Sequence, residues 1–424
     1  MDPRPVRAPW RDPERLFAGA ATLHPDLFWL DAGPAAVSGW SWLGVGSPAA
    51  TDDVRAVRCG GAAAEAGPFH GGYVGWLGYE DGAERAGAPI AEPDAGIPSS
   101  AWLRADRFVG FDHATRTAWV FAEDAEAFAR ELDLWDRDPA ATLPPSRAVR
   151  ARHEPAEYAE LVTACRAAIR EGDAYQLCLT TRFEVDGVVD DVSAYLNLRR
   201  ATPAHHGGFI RIDGVALASA SPERFLEVQD GVVRTHPIKG TRPRGTDAAS
   251  DAALKAELRA SPKERAENVM IVDLMRNDLA RVADTGTVVV ENLLEVESYP
   301  AVHQLVSAVA ARIAPGTTVG RLWDAAFPAG SMTGAPKLSA MTILHRLEGA
   351  PRGVFAGCFG WVGDDGGMDL AMVIRSIVVH RRGAYVGAGG GITWGSIPAD
   401  EVAEVGVKAR APLAALGASL PPGW

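Results

Sequence analysis

Two periods of apolar residues alternate along this chain, and the changes between them mark its elements. In "EPAEYAELVTACRAAIREGD" (154–173), Tyr158, Leu161, Val162, Cys165, Ala168 and Ile169 share one face at the helical period. Pro155 at the start and Gly172 just past the end bound that helix. "YQLCLTTRFEV" (175–185) switches to strict alternation. Tyr175, Leu177, Leu179, Phe183 and Val185 fall on one face of a strand, and Gln176, Cys178 and Thr180 on the other. Asp213-Gly214 and Asp230-Gly231 each sit between apolar strand segments, the short-range signal of a two-residue hairpin turn. "ASPKERAENVMIVDLMRNDLARV" (260–282) predicts a helix with Ser261 as N-cap, Pro262 at the first position and Glu264 closing a capping box. Its middle is apolar almost all round, which predicts a mostly buried helix. Strands, then helices, then strands predict an α+β fold (a mixed α/β chain) built on antiparallel sheet.

The N-terminal stretch lacks such long patterns. Short Gly-punctuated apolar runs such as "GGYVGWLGYE" (71–80) predict strands and turns. The aperiodic, proline-rich stretch 136–153 predicts a linker. It separates an N-terminal region, 1–135, from a longer region, 154–412, followed by a short tail, 413–424. The 424 residues hold the mass of two or three domains, and a hydrophobic fraction of 47% supports a sizeable core.

Charge narrows the chemistry. A net charge of −12 argues against nucleic-acid binding, so an anionic substrate needs a local basic patch or a metal. No apolar run reaches the ~18 residues of a membrane span, and the N-terminus does not resemble a signal peptide. Cys59, Cys165, Cys178 and Cys358 have neither zinc-site nor redox-pair spacing. Free thiols in a reducing cytoplasm are the expectation.

Several stretches carry candidate chemistry. Glu264 and Glu267 lie three apart on one helix, and Glu401 and Glu404 repeat the device behind Pro398, with Lys408 one turn on. Two such pairs suit Mg2+, which takes one or two carboxylates, waters and an anionic substrate group. Alternatively, each pair merely favours its helix N-terminus from solvent. "GSMTGAPKLSAM" (330–341) is not a phosphate loop, because Pro336 precedes Lys337 and Leu338 stands where a hydroxyl is needed. "AMVIRSIVV" (371–379) predicts Arg375 inside an apolar strand, needing a carboxylate partner from the protein or a ligand. Lys239, in "HPIKGTRPRG" (236–245), is either a surface charge or a part-desolvated nucleophile. If the register of the Asp230-Gly231 turn persists, Glu223 faces Ile238, next to Lys239. That arrangement is a general acid beside a nucleophile, or a plain salt bridge.

Taken together, "SPERF", "PIKGTRPRG", "KERAENVMIVDLMRNDL", "FPAGSMTGAPKLSAM", "RGVFAGCFGW", "IRS" and "GGGIT" followed by "ADEVAEVGVKA" resemble the chorismate-utilising enzymes over about residues 154–412. The resemblance implies an anthranilate synthase component I-like fold: two orthogonal antiparallel sheets flanked by helices, with the active site in the cleft. It implies Mg2+ on Glu267 and Glu404, supported by Glu264 and Glu401. Glu223 becomes the acid for the leaving C4 hydroxyl. Arg375, Lys408, Gly334, Thr241, Phe355 and the backbone at Gly389 and Gly391 hold substrate, while His303 and Thr333 line the ring, His303 as a catalytic residue with Lys239, Glu223 and Gln176.

Two positions discriminate within the family. Gln176 stands where water-adding members have a lysine base, so ammonia is the implied nucleophile. "PIKGT" is similar to the members that aminate at C4 through a covalent lysine, giving 4-amino-4-deoxychorismate, the p-aminobenzoate precursor on the way to folate. Members aminating at C2 usually read Ala for Lys239. A C2-aminating enzyme and a non-catalytic binding subunit are the alternatives. Phe355 replaces a usual tyrosine, Cys178 a usual asparagine, and Ala32 a serine that helps bind regulatory tryptophan in relatives. No glutaminase sequence lies within the 424 residues, so a separate glutamine amidotransferase is the implied partner.

Overall fold

Every ladder between the strands is antiparallel, and all of them join into one network. The computed structural model describes residues 5–62, 64–139, 142–299 and 302–424. The network has two arms that meet at the long strand Ser100–Asp112. One arm runs from it through Trp40–Ala49, Leu27–Asp31, His206–Ile212, Val215–Ser221, Ser376–His380 and Gly383–Ile392 to Gln176–Asp186. The other runs through Gly72–Leu77, Cys358–Gly363, Met368–Met372, Arg224–Gln229 and Val232–Thr235 to Val302–Arg312. Ile238–Pro243 and Val289–Ser298 both pair with Val302–Arg312 at the end of that arm. The expected antiparallel α+β architecture is therefore present, with its two sheets linked through one shared strand. Because strands of the 1–135 region pair with strands of both arms, the N-terminal third is part of the same sheet system.

The alternation predicted for 175–185 divides two large apolar cores. Leu177, Leu179, Phe183 and Val185 pack in one core with Tyr158, Val162 and Val405, while Cys178 faces the other. Burying each such side chain contributes about 1.5–3 kcal/mol, enough to fix which face of the strand looks into the cleft. Tyr175 departs from the pattern: it precedes the strand and is 73% exposed. Both Asp-Gly hairpins form, with Ile212 opposite Val215 and Gln229 opposite Val232. In each turn both central residues have positive φ, as this tight turn type requires.

The helix Pro155–Glu171 starts and stops as its sequence signals predict, with Gly172 in the left-handed conformation. Trp424, beyond the helix Pro398–Ala415, packs its ring on Tyr158 and Phe183. The helix Pro262–Ala280 differs from expectation in two ways. Ser261 caps it, but Glu264 turns away to Arg242 and closes no capping box. It is buried along one face only, with Val269 45% exposed, because it lies on the outside of the Val302–Arg312 strand. A helix at Ala248–Ala260, capped by Asp247, precedes it. Arg375 is not in a strand: the apolar run breaks into Met368–Met372 and Ser376–His380, and Arg375 takes φ 53 in between. Among the described residues, no helix is long and apolar enough to cross a membrane.

Candidate active site

Lys239 sits on an interrupted edge. Ile238 pairs with Val306 and Thr241 with Gln304, with a register shift between them. Gly240, at φ 88, supplies the backbone conformation that this irregularity needs. The irregularity aims Lys239 across the gap between the arms. A Cβ placed on Gly391 would lie 2.8 Å from Gln176 Nε2 and 3.5 Å from Lys239 Nζ. The bare backbone of Gly391 thus leaves the space in which the two head groups meet. Gln176 is fully buried, and neither of its amide atoms has a hydrogen-bond partner. Leaving both ends of a buried amide unpaired costs on the order of 1–3 kcal/mol per group. A ligand that supplied partners would recover it.

Glu223 approaches by a different path from the one expected. The Asp230-Gly231 hairpin keeps its register only to Glu227 opposite Arg234. Ile238 then pairs with Val306 rather than facing Glu223. The carboxyl is nevertheless buried within the electrostatic reach of Lys239 and accepts a 3.2 Å hydrogen bond from the Ser331 hydroxyl. Burial pushes its pKa up to about 7, against the pull of Lys239, Ser331 and Lys408. Sequence reasoning missed Ser331, which has no periodic or spacing signal and meets Glu223 only through the fold.

The four helix carboxylates divide by partner. Glu264 lies 3.5 Å from Arg242, and its Oε2 would be 2.9 Å from a Cβ on Gly240. Glu267 has a buried, unpartnered Oε1, with Lys263 4.0 Å away. Burial raises its pKa, and Glu264 and Glu404 add to that against Lys239 and Lys263. Glu401 is buried and likewise raised, first by desolvation. Glu404 is desolvated too, but Lys408 at 2.6 Å brings its net shift below the ordinary value. A Cβ on Gly390 would lie 2.9 Å from Glu401 Oε2 and 3.4 Å from Glu404 Oε1, so that glycine is a cradle for this pair.

No three carboxylate, histidine or cysteine side chains among the described residues converge into a ready-made metal cluster. Mg2+ does not require one, because water and substrate oxygens usually fill most of its shell. Glu267 Oε1, buried without a hydrogen-bond partner, and Glu404, within its electrostatic reach, fit such a cation.

The remaining predicted residues separate. Lys408 donates to the Gly389 carbonyl at 2.7 Å as well as to Glu404. Arg375 is desolvated, feels Glu404, and pairs with no carboxylate among the described residues. An internal ion pair, one of its two expected fates, is absent. Thr333 is buried with its hydroxyl on the Ala329 carbonyl, and Gly334 packs on the Gln176 backbone. Thr241 is exposed, on the same strand as Lys239. The Phe355 ring packs on Gly387 in the core. His303 is tied to Asp251 at 3.0 Å and Ser298 at 2.9 Å, at the foot of the Ala248–Ala260 helix. Lys337 bonds Asp278 and the Ala326 carbonyl, so the 330–341 turn holds no phosphate-loop lysine. A separate cavity of about 540 Å³ is lined by Asp31, Ala32, Trp40 and His206. Asp31 there is already held by Arg199 and Tyr195.

A family model for chorismate binding enzymes matches residues 46–414. The chain belongs to the chorismate-binding enzyme family. It is 43% identical to the aminodeoxychorismate synthase of Streptomyces pristinaespiralis, covering 82% of this chain and 51% of that protein. It therefore spans about half the length of that relative. It is 41% identical to aminodeoxychorismate synthase component 1 of Klebsiella aerogenes, covering 80% and 75% of the two chains. It is also 41% identical to anthranilate synthase component 1 of Streptomyces coelicolor, covering 82% and 73%. Anthranilate synthase component I from Streptococcus pneumoniae superposes with a TM-score of 0.76 at 29% identity, covering 97% and 92%. In this chain Lys239 from one arm and Gln176 from the other come together at Gly391, with the carboxylates of the two helices nearby.

Proposed function

We propose that the chain is an aminodeoxychorismate synthase component I that aminates chorismate at C4. The observation that carries this reading is Lys239, whose amine meets Gln176 at Gly391 beside a carboxyl that stays protonated to about pH 7. The neutral Lys239 amine forms a bond to C2, the ring double bonds shift toward C4, and the C4–oxygen bond breaks. Glu223 gives its proton to that oxygen, which leaves as water. Ammonia then bonds to C4, the double bonds shift back, and the C2–nitrogen bond to Lys239 breaks. Lys239 departs as the neutral amine and the proton lost by ammonia goes to Glu223, restoring the acid, so chorismate and ammonia become 4-amino-4-deoxychorismate and water.

Glu267 and Glu404 would hold Mg2+, with Glu264 and Glu401 beside them. The cation supplies positive charge for a substrate carboxylate in a chain of net charge −12. Arg375, without an internal carboxylate partner, suits a second substrate carboxylate. Gln176 offers no base for water, and its unpartnered amide suits a polar ring substituent or the incoming ammonia. A separate glutamine amidotransferase would deliver the ammonia. Four free cysteines, three of them buried, suit a reducing cytoplasm.

The equal 41% identity to an anthranilate synthase keeps amination at C2 as the second reading. Mass-spectrometric product analysis with chorismate, ammonium and Mg2+ separates the two. 4-Amino-4-deoxychorismate supports the proposal, anthranilate or its C2-amino precursor supports the second reading, and no product at all would refute both. Glutamine should replace ammonium only once an amidotransferase is added.

A further inference from the structure

The strand that carries Lys239 is held by a buried polar bridge lying outside the strand ladders. On both sides of the Val302–Arg312 strand the pairing lapses at this level. The shift between Ile238 and Thr241 interrupts one side, and the shift between Asn292 and Glu295 the other. Backbone groups left over at such irregularities need other partners.

Asn268 and Ser307 supply them, and both are fully buried. The Asn268 carboxamide donates to the Pro237 carbonyl at 3.4 Å and to the Leu305 carbonyl at 3.3 Å. Its oxygen accepts from the Ser307 hydroxyl at 2.5 Å. The same hydroxyl accepts from the Leu294 N–H at 2.9 Å, and Leu294 itself has φ 58. The Ser307 N–H donates to the Pro237 carbonyl at 3.2 Å.

Pro237 is two residues before Lys239, and Asn268 directly follows Glu267 in the helix. One carboxamide thus fastens the lysine strand to the helix of the carboxylates. We infer that Asn268, with Ser307, is a positioning residue: by pinning Pro237 it holds the Lys239 amine against C2 and so directs ammonia to C4. The inference rests on Lys239 acting as the proposed nucleophile. If the pin is lost, the strand relaxes at its irregular point, the amine leaves C2, and C2 opens to ammonia.

The test compares Asn268→Asp, Ser307→Ala and Lys239→Ala with the parent enzyme, using ammonium and Mg2+. Asn268→Asp keeps the shape and the acceptor for Ser307 but removes both donors. The readouts are kcat, KM for chorismate, and the ratio of C4- to C2-aminated product, each on protein whose circular dichroism and Tm show it folded. Asn268→Asp should lower kcat at least about tenfold, leave KM within about threefold and raise the C2 share. Ser307→Ala should move both in the same direction by less. A merely structural role would lower Tm without changing the product ratio, and that result in Asn268→Asp overturns the inference. If Asn268→Asp does not fold, the product ratio of Ser307→Ala decides in the same way. Should Lys239→Ala make the C4 product at the parent rate, the nucleophile reading itself fails, and the inference with it.

Discussion

The helices Pro262–Ala280 and Pro398–Ala415 present the same Glu-x-x-Glu spacing, yet the structure uses them in opposite order. On the first, the outer carboxylate, Glu264, faces Arg242, while the inner one, Glu267, is left with an unpartnered oxygen. On the second, the outer carboxylate, Glu401, is buried, and the inner one, Glu404, is neutralised by Lys408. Identical spacing therefore produces four different electrostatic positions. A pair does not define a ligand set; the neighbours do. Glu404 helps to raise the Glu267 pKa, and Lys239 and Lys263 act on both carboxylates, so the two share one electrostatic neighbourhood.

The sharpest way to break this comparison is to neutralise each carboxylate in turn. Glu267→Gln and Glu404→Gln should each abolish turnover, a loss of at least about 1000-fold, because each removes charge worth several kcal/mol at the cation. Glu264→Gln and Glu401→Gln should lose about 10–100-fold, as supporting groups do. Mg2+ titration by calorimetry should show binding lost in the first two variants and weakened in the others. Equal effects at all four positions would erase the distinction between the pairs, and turnover that survives a chelator would remove the cation from the reaction.

Lys239, on the strand packed against the first of these helices, sharpens the contrast through groups held by packing and hydrogen bonds. Lys239→Ala should lose C4 amination by about 100-fold or more and pass its residual amination to C2. Lys239→Arg should fail as well, since a guanidinium stays protonated and cannot attack. Chromatography of the products checks both. C4 product from Lys239→Arg at the parent rate would reduce the lysine to a charge in the pocket.

How much of this was legible differs from residue to residue. The alternation of Leu177, Leu179, Phe183 and Val185 was readable because a period of two has one interpretation when one face meets a core. It placed Gln176 on the cleft face correctly, although extending it to Tyr175 went one residue too far. The nearness of Glu223 and Lys239 was inferred from hairpin register, but that ladder stops at Glu227. Their approach comes from Ile238 crossing to Val306 instead, a long-range pairing that turn chemistry cannot announce. The Ser-x-x-Glu signature at 261–264 gave the helix start and misassigned Glu264, whose carboxylate the fold turns toward Arg242. Ser331, Asn268 and Ser307 were invisible because their partners are far away in sequence and small polar residues leave no periodic trace.

A smaller effect separates the buried acid from the exposed carboxylates. A carboxyl raised to about 7 keeps its proton at slightly acidic pH, is half-ionised near neutrality and loses the proton above. The chemical step should therefore fall as pH rises past about 7 once rates are normalised to free ammonia, and Glu223→Gln should remove that limb along with most of the activity. A normalised rate that stayed flat through neutral pH would assign the acid elsewhere.

The smallest expected effect belongs to Ser331. Its hydroxyl donates to Glu223 Oε1 at 3.2 Å, and a donor of this kind stabilises the carboxylate over the acid. Removing it takes away one of the three influences that lower the Glu223 pKa, while burial, the largest influence and the one that raises it, stays. In Ser331→Ala the alkaline limb should therefore move to higher pH. The rate at acidic pH, where Glu223 is already protonated, should stay within about threefold of the parent. The sign is what makes the variant useful. If Ser331 instead served to orient a substrate group, Ser331→Ala would raise KM or lower kcat at every pH and leave the position of the limb unchanged. A limb displaced to lower pH would mean that Ser331 stabilises the protonated acid, and the hydrogen bond would have to run from Glu223 to the serine oxygen.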